Sequence, residues 1–301
     1  MFLAAAQEVN TNPWRFQLHL EVWLLMAFLI GAYVYMTRVL GPRVVSDGEI
    51  VTKGQRRAFV IMIVLLWLSS DWPMHDLAEE YLYSLHMLQH MSLSYFIPPL
   101  ALIATPEWFF RLLIGQGKVE RTARFLSKPV TAAVIYNAVV MGSHTPALVN
   151  RSADGGPLHY SIHVVLVFSS LLLWMPLCSP RKDWRISYGA QMVYVFAMSV
   201  LPTIPAGWLT FAEGSVYDHY DHVVRVGGIS VLSDQQAAGA IMKLGGSVFM
   251  WIVMIFLFFN RFTKGFHEAQ TNSYKAQDDT LTFEQVTEQF EKTPPVEEPQ
   301  H

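Results

Sequence analysis

Two pairs of histidines carry the first hint of chemistry: His86 and His90 in "SLHMLQHMSL", and His159 and His163 in "PLHYSIHVVL". Residues four apart share one helix face, one turn from each other. Two imidazoles so placed can reach one metal ion, or line a cofactor channel. Imidazole suits copper, zinc, iron and nickel, and thioether sulfur favours Cu(I). Met87 and Met91 flank the first pair, Met74 precedes His75, and Met141 lies about one turn before His144. The single cysteine, Cys178, rules out an internal disulfide and a CxxC thiolate site. A histidine and methionine set without cysteine is suited to copper.

These residues lie in runs that belong in a bilayer. Of 301 residues, 52% are hydrophobic and only 15% charged, where soluble domains carry about 25% charged residues. A span of hydrocarbon takes about 20 helical residues. Seven apolar segments qualify, near 17–40, 57–72, 80–104, 129–149, 158–178, 187–211 and 236–260, the second being short. The expected fold is an all-α integral membrane protein, a bundle of seven transmembrane helices over 17–262. A short outer segment, 1–16, precedes it and a polar acidic tail, 263–301, follows. The opening "MFLAAAQEVNTNPW" lacks the basic start and long apolar core of a signal peptide, so the first span is expected to remain as a helix. From His267 onward the chain holds eight acidic and two basic residues and ends Pro-rich. That composition predicts disorder or weak helicity. It also leaves the membrane body net positive, although the whole chain carries −3. No repeat, phosphate loop or HExxH metalloenzyme motif occurs, and nothing points to nucleic acid. The chain does not read as an enzyme.

Basic residues mark the cytoplasmic side of a membrane protein. Arg38, Arg43, Lys53, Arg56 and Arg57 follow the first span. Arg111, Lys118, Arg121, Arg124 and Lys128 follow the third, Arg181, Lys182 and Arg185 the fifth, and Arg261 and Lys264 the seventh. The alternate connections are nearly free of positive charge. The asymmetry predicts an outer N-terminus and a cytoplasmic C-terminus. On that map only His267 and His301, of eleven histidines, are cytoplasmic. The others, from His19 to His222, lie on or near the outer side.

Ionisable groups within a bilayer usually face the bundle interior and mark sites or pathways. The candidate metal ligands are His86, His90, His144, His159 and His163, with His75, His219, His222, Met87 and Met91 as further possibilities. Each has a plainer alternative. A lone membrane histidine is often an interhelical hydrogen-bonding group, which suits His19. His219 and His222 fit exposed loop positions. His144 precedes Thr145-Pro146 and could satisfy a helix break, and methionine is a common gap-filler. Asp71, Asp76, Glu79 and Glu80 ring the expected mouth, as a lure for cations or as a hydrophilic cap. Asp71, Asp234, Gln235 and Gln236 could orient the imidazoles. Asp234, or Ser233 before it, also suits the cap of the last helix. Histidines from different helices could instead bind heme axially. A copper transporter would need a polar path through both leaflets, whereas ionisable residues thin toward the cytoplasm.

Three stretches resemble the CtaG-type cytochrome c oxidase assembly proteins. "SLHMLQHMSLSYFIPPLALIATP" is similar to their third span, a histidine pair followed by a double proline. "PLHYSIHVVLVFSSLLLWMP" is similar to their fifth, and "LSDQQAAGAIMKLGG" to the segment opening their last. The resemblance covers about 55–260 and agrees in order. It implies a multi-pass protein of the bacterial plasma membrane, required for maturing a heme-copper oxidase at a copper-insertion step. It also implies oxidase subunits as partners, with an outer-face copper chaperone as a further partner. By motif position it carries over to His86, His90, His159, His163, Asp234, Gln235 and Gln236. Lys243, where an apolar or aromatic residue is expected, and the acidic tail depart from the pattern.

Overall fold

The computed structural model describes residues 12–153, 156–201, 203–221, 225–278 and 283–292. Its regular elements among these residues are helical. Helix α1 covers Leu20–Val44, α2 Lys53–Ser70, α3 Met74–Glu80, α4 Tyr83–Ala104, α5 Glu107–Ile114, α6 Lys118–Leu126 and α7 Pro129–Ser143. There follow α8 at Pro146–Ala153, α9 at Pro157–Cys178, α10 at Tyr188–Val200, α11 at Thr203–Thr210, α12 at Val231–Ala240, α13 at Gly246–Asp278 and α14 at Phe283–Lys292. Five helical stretches are long and apolar enough to cross a membrane, or up to seven if each of two bent pairs is one span. The bent pairs are α2 with α3, at 43°, and α6 with α7, at 70°. Pro73 starts the turn into α3 and Pro129 opens α7. A proline lacks the N–H that would carry a helix across such a point. The shortest apolar run in the sequence, 57–72, is one of those that meet these breaks.

The ends of the helices follow from their sequences. Thr52 caps α2: its hydroxyl accepts from Gln55 N at 3.2 Å, while Gln55 Oε1 accepts from Thr52 N at 2.9 Å. This reciprocal pair satisfies two otherwise free N–H groups. Pro129 and Pro157 begin α7 and α9, where the missing N–H costs nothing.

Helix α4 is the axis of the residues up to Met254. Two thirds of its apolar window, 67%, is buried, against 17% for α1 and 39% for α9. It packs on α2, α3, α9 and α12. Midway it makes a π-helical turn at Ser92–Phe96, just before Pro98 and Pro99. Pro98 cannot bond the carbonyl of Ser94 four residues back. Trp174 on α9 fills the gap, donating from Nε1 to Ser94 O at 2.9 Å. The outward faces of the long helices are apolar, with Phe28, Val60, Val193 and Val248 exposed. That is the pattern expected of helices whose surroundings are lipid.

Lys243, where the resemblance predicts an apolar or aromatic residue, serves a further break. Its Nζ donates to Ser199 O at 3.3 Å and to Thr203 Oγ1 at 2.5 Å, where α10 gives way to α11. A cation there complements the negative end of the α10 dipole. Separately, the residues from Ile255 on form their own compact unit. Helix α13 runs on to Asp278 and α14 lies within the stretch of polar composition.

Candidate metal centre

The histidine pair of α4 meets that of α9. His90 Nε2 and His163 Nε2 are 3.3 Å apart. Ring centroids lie 4.3 Å apart for His86 and His90, 4.4 Å for His159 and His163, and 5.9 Å for His86 and His163. The His144 ring, at the end of α7, stands edge-on to His90 at 5.8 Å. All five residues predicted as ligands therefore converge on one chamber. His86, His90, His144 and His159 are buried there. Two groups bring one ligand atom from each member within 4.8 Å of the others: His86, His90 and His163, and Glu79, His159 and His163.

Glu79 is the hub that sequence reasoning placed only at the mouth. It ends α3, and its carboxylate lies 2.9 Å from His159 Nε2, 3.5 Å from His86 Nδ1 and 3.9 Å from His75 Nδ1. One signal could have found it, because Glu79 follows His75 by four residues and so shares its helix face. The short approaches are not aligned as hydrogen bonds. Glu79 Oε1, His86 Nδ1, His90 Nδ1 and His159 Nε2 are all buried without a hydrogen-bond partner. Such atoms are costly to leave unmatched. A cation at their focus would satisfy them, so the donor set fits a metal ion.

The remaining predicted residues take different places. His144 Nδ1 bonds Val140 O at 2.7 Å, which leaves Nε2 facing Met87 Sδ at 3.4 Å. It thus serves the local helix end and presents its other nitrogen to the chamber. Met91 lines a cavity of about 30 Å³ beside His90 and His144. His75 Nδ1 receives a hydrogen bond from Gln89 Nε2 at 3.2 Å and its ring meets His19 at 4.8 Å. His19 in turn bonds Asp76 Oδ1 through Nε2 at 2.8 Å, joining α1 to α3. His219 Nε2 bonds the carbonyl of Glu79 at 3.0 Å. His222 lies outside the described residues.

The residues expected to orient the imidazoles do other work. Asp71 accepts from Trp67 Nε1 at 2.8 Å. The cap of α12 is Ser230, which accepts from Ser233 N at 3.1 Å. Asp234 instead reaches the start of α4, accepting from Tyr83 N at 2.7 Å and Ser84 N at 3.2 Å. It thereby caps the helix that bears His86 and His90. Gln235 accepts from Val216 N at 2.8 Å and donates to Tyr217 O at 3.2 Å, and Gln236 donates to Ala212 O at 3.1 Å. These glutamines fasten the loop between α11 and α12 rather than the imidazoles. The loop lays Tyr217 and Tyr220 on the chamber, with Tyr83 ring distances of 4.6 and 5.0 Å. Tyr217 Oη donates to His144 O at 2.8 Å. Burial pushes the Tyr217 hydroxyl up to about 12, so it remains a neutral donor.

Below the histidines the bundle is closed by Tyr95, Tyr136, Trp174 and Phe249, whose rings contact one another. Residues 31–264 match the family described as cytochrome c oxidase caa3 assembly factor (Caa3_CtaG). Neither the curated proteins nor the solved structures compared with the chain give a match. The family match spans most of the chain, which therefore belongs to this family of cytochrome c oxidase assembly factors.

Proposed function

We propose that this member of the caa3 assembly factor family binds copper in the outer histidine chamber and presents it to an oxidase subunit. The observation that carries the reading is the convergence of one ligand atom each from His86, His90 and His163 within 4.8 Å, with His90 Nδ1 buried and without a hydrogen-bond partner. Imidazole, with the Met87 thioether one residue away behind His144, suits copper, Cu(I) above all. Copper is here a cargo. It arrives from the oxidising side, from a copper chaperone at that face, and leaves to the oxidase.

The protein is then a seven-span chain of the bacterial plasma membrane, outer at its N-terminus and cytoplasmic at its C-terminus. The alternation of basic connections supports that orientation. The aromatic layer beneath the histidines supports loading and release from one side rather than transport through the bundle. Heme is the second reading. It is weakened by space, since the cavity beside His90 and His144 measures about 30 Å³, whereas sites for organic ligands run to about 300–1,000 Å³.

The test is a double substitution, His86→Ala with His90→Ala. Purified wild-type protein is expected to bind Cu(I) stoichiometrically, and the variant to bind it far more weakly. Cells carrying the variant are expected to make an oxidase depleted of copper. Oxidase with its normal copper content in those cells would sink the proposal. A Soret band in the purified protein that vanishes in the variant would replace it with heme.

A further inference from the structure

The two ligand groups in the chamber share one residue, His163. A neutral imidazole carries one N–H and one lone pair. His163 can therefore serve one group at a time. The groups also differ in kind and in place. The first, Glu79 with His159, brings a carboxylate and lies at the end of α3 and the opening turn of α9. The second, His86 with His90, is wholly imidazole and lies on α4, where His90 faces His144 and, behind it, Met87. A carboxylate oxygen is a hard donor that takes a hydrated cation readily. The imidazole and thioether donors are softer and hold copper better.

Unsatisfied atoms are divided between both groups. Glu79 Oε1 and His159 Nε2 lack an aligned hydrogen bond in one, His86 Nδ1 and His90 Nδ1 in the other, and the Glu79 carboxylate meets His159 and His86 as ion pairs. Glu79 spans the gap, since its carboxylate reaches His159 on one side and His86 on the other.

We infer that the chamber is a two-station site for one copper ion, an entry station of Glu79 and His159 and a holding station of His86 and His90. His163 belongs to both. This rests on the copper reading above. The step is a ligand exchange at unchanged oxidation state. The bonds from copper to the Glu79 oxygen and the His159 nitrogen break as bonds to His86 and His90 form, while His163 stays bound through one nitrogen as the pivot. No electron or proton is transferred.

The test uses the full chain and Cu(I) titrated under reducing conditions against a chromogenic chelator, with stopped-flow mixing for the loading rate. Wild type is expected to bind one ion per chain. Glu79→Gln should slow loading at least about tenfold while leaving equilibrium affinity within about threefold, since it alters the route and not the end point. His159→Gln, a second variant with an intact α3, should do the same. In a His86→Ala background the ion is confined to the entry station. There Glu79→Gln should lower affinity at least about tenfold, a dependence wild type lacks. Two ions bound at once in wild type would overturn the inference. So would Glu79→Gln loading at the wild-type rate, or weakening equilibrium binding as much as His86→Ala. A wild-type chain that binds no copper would remove the copper reading itself, a result that no pattern among the variants can mimic.

Discussion

Helix α4 has two unlike faces. Met87, His90, Ser94 and Tyr95 turn toward a cavity of about 30 Å³ closed by Tyr136, Val140, His144 and Leu166. Leu88, Met91 and Phe96 turn toward an apolar groove of about 500 Å³ bounded by Ala240, Leu244, Gly245 and Phe249. The larger space has almost nothing polar in it. The smaller one is lined by His90 of α4 and by His144 at the end of α7. In a membrane, polar atoms must be satisfied within the protein, so they are drawn to the interior face. Apolar side chains are at home against lipid. The comparison teaches that polarity, rather than volume, marks where this protein can do chemistry.

The comparison breaks most readily at His163, which both ligand groups share. His163→Ala is expected to weaken Cu(I) binding by about 100-fold or more, beyond the 10–100-fold typical of losing a mere ligand-orienting group. Leu244→Ala, in the groove, should leave affinity within about twofold of wild type, the range expected for a side chain that touches no donor. Chelator competition measures both. If the groove variant binds as poorly as the histidine variant, the distinction between the faces is wrong.

A smaller effect is expected where α4 is pinned. Trp174→Phe leaves the Ser94 carbonyl, freed by Pro98, without its donor. A buried group left unpaired costs about 1–3 kcal/mol, to be read as a lower melting midpoint in detergent. Next comes the helix start. Asp234→Ala strips the cap from Tyr83 N and Ser84 N, for about 0.5–2 kcal/mol. The cap orients the chamber face, so this variant should also weaken copper binding, whereas a groove substitution of equal cost should not. A fall in melting midpoint without any change in copper affinity would separate the cap from the site.

Much of the chamber was legible in the sequence, because its logic is local. His86 and His90, and His159 and His163, announce a shared face by their spacing alone. The sidedness expected from the basic connections grouped His144 with them. What was not legible is long-range. Asp234 was readable as a capping residue, but not as the cap of a helix that starts 151 residues earlier. The donation from Trp174 to Ser94 joins positions 80 apart, and no local pattern predicts it. Glu79 failed for another reason. An acid beside a membrane mouth looks like a solvated cap until α3 folds back and turns it inward. The breaks at Pro73 and Pro129 were not read from the sequence, and whether each bent pair makes one span depends on packing and bilayer rather than on residue type.

Met91 borders both spaces, and the smallest predicted effect concerns it. Sequence reasoning allowed Met87 and Met91 equally as sulfur ligands. The structure separates them. Met87 Sδ faces His144 Nε2 at 3.4 Å, while Met91 Sδ and Cε crowd Gly245, where an added Cβ would lie 2.8 Å from each. The Met91 sulfur is thus turned to the groove wall. Met91→Leu should cost less than about 1.5 kcal/mol, as volume-conserving core changes do, and leave Cu(I) affinity unchanged. Met87→Leu, at a similar cost in stability, should lower it. Gly245→Ala provides the converse. It would push the flexible tip of Met91 away from position 245, at a small cost because the displaced atoms end a long side chain. If that substitution tightens Cu(I) binding, the sulfur has been moved into reach of the ion. If Met91→Leu already weakens binding in the native chain, the Met91 sulfur belongs to the chamber and the boundary between the two faces lies one residue further round the helix.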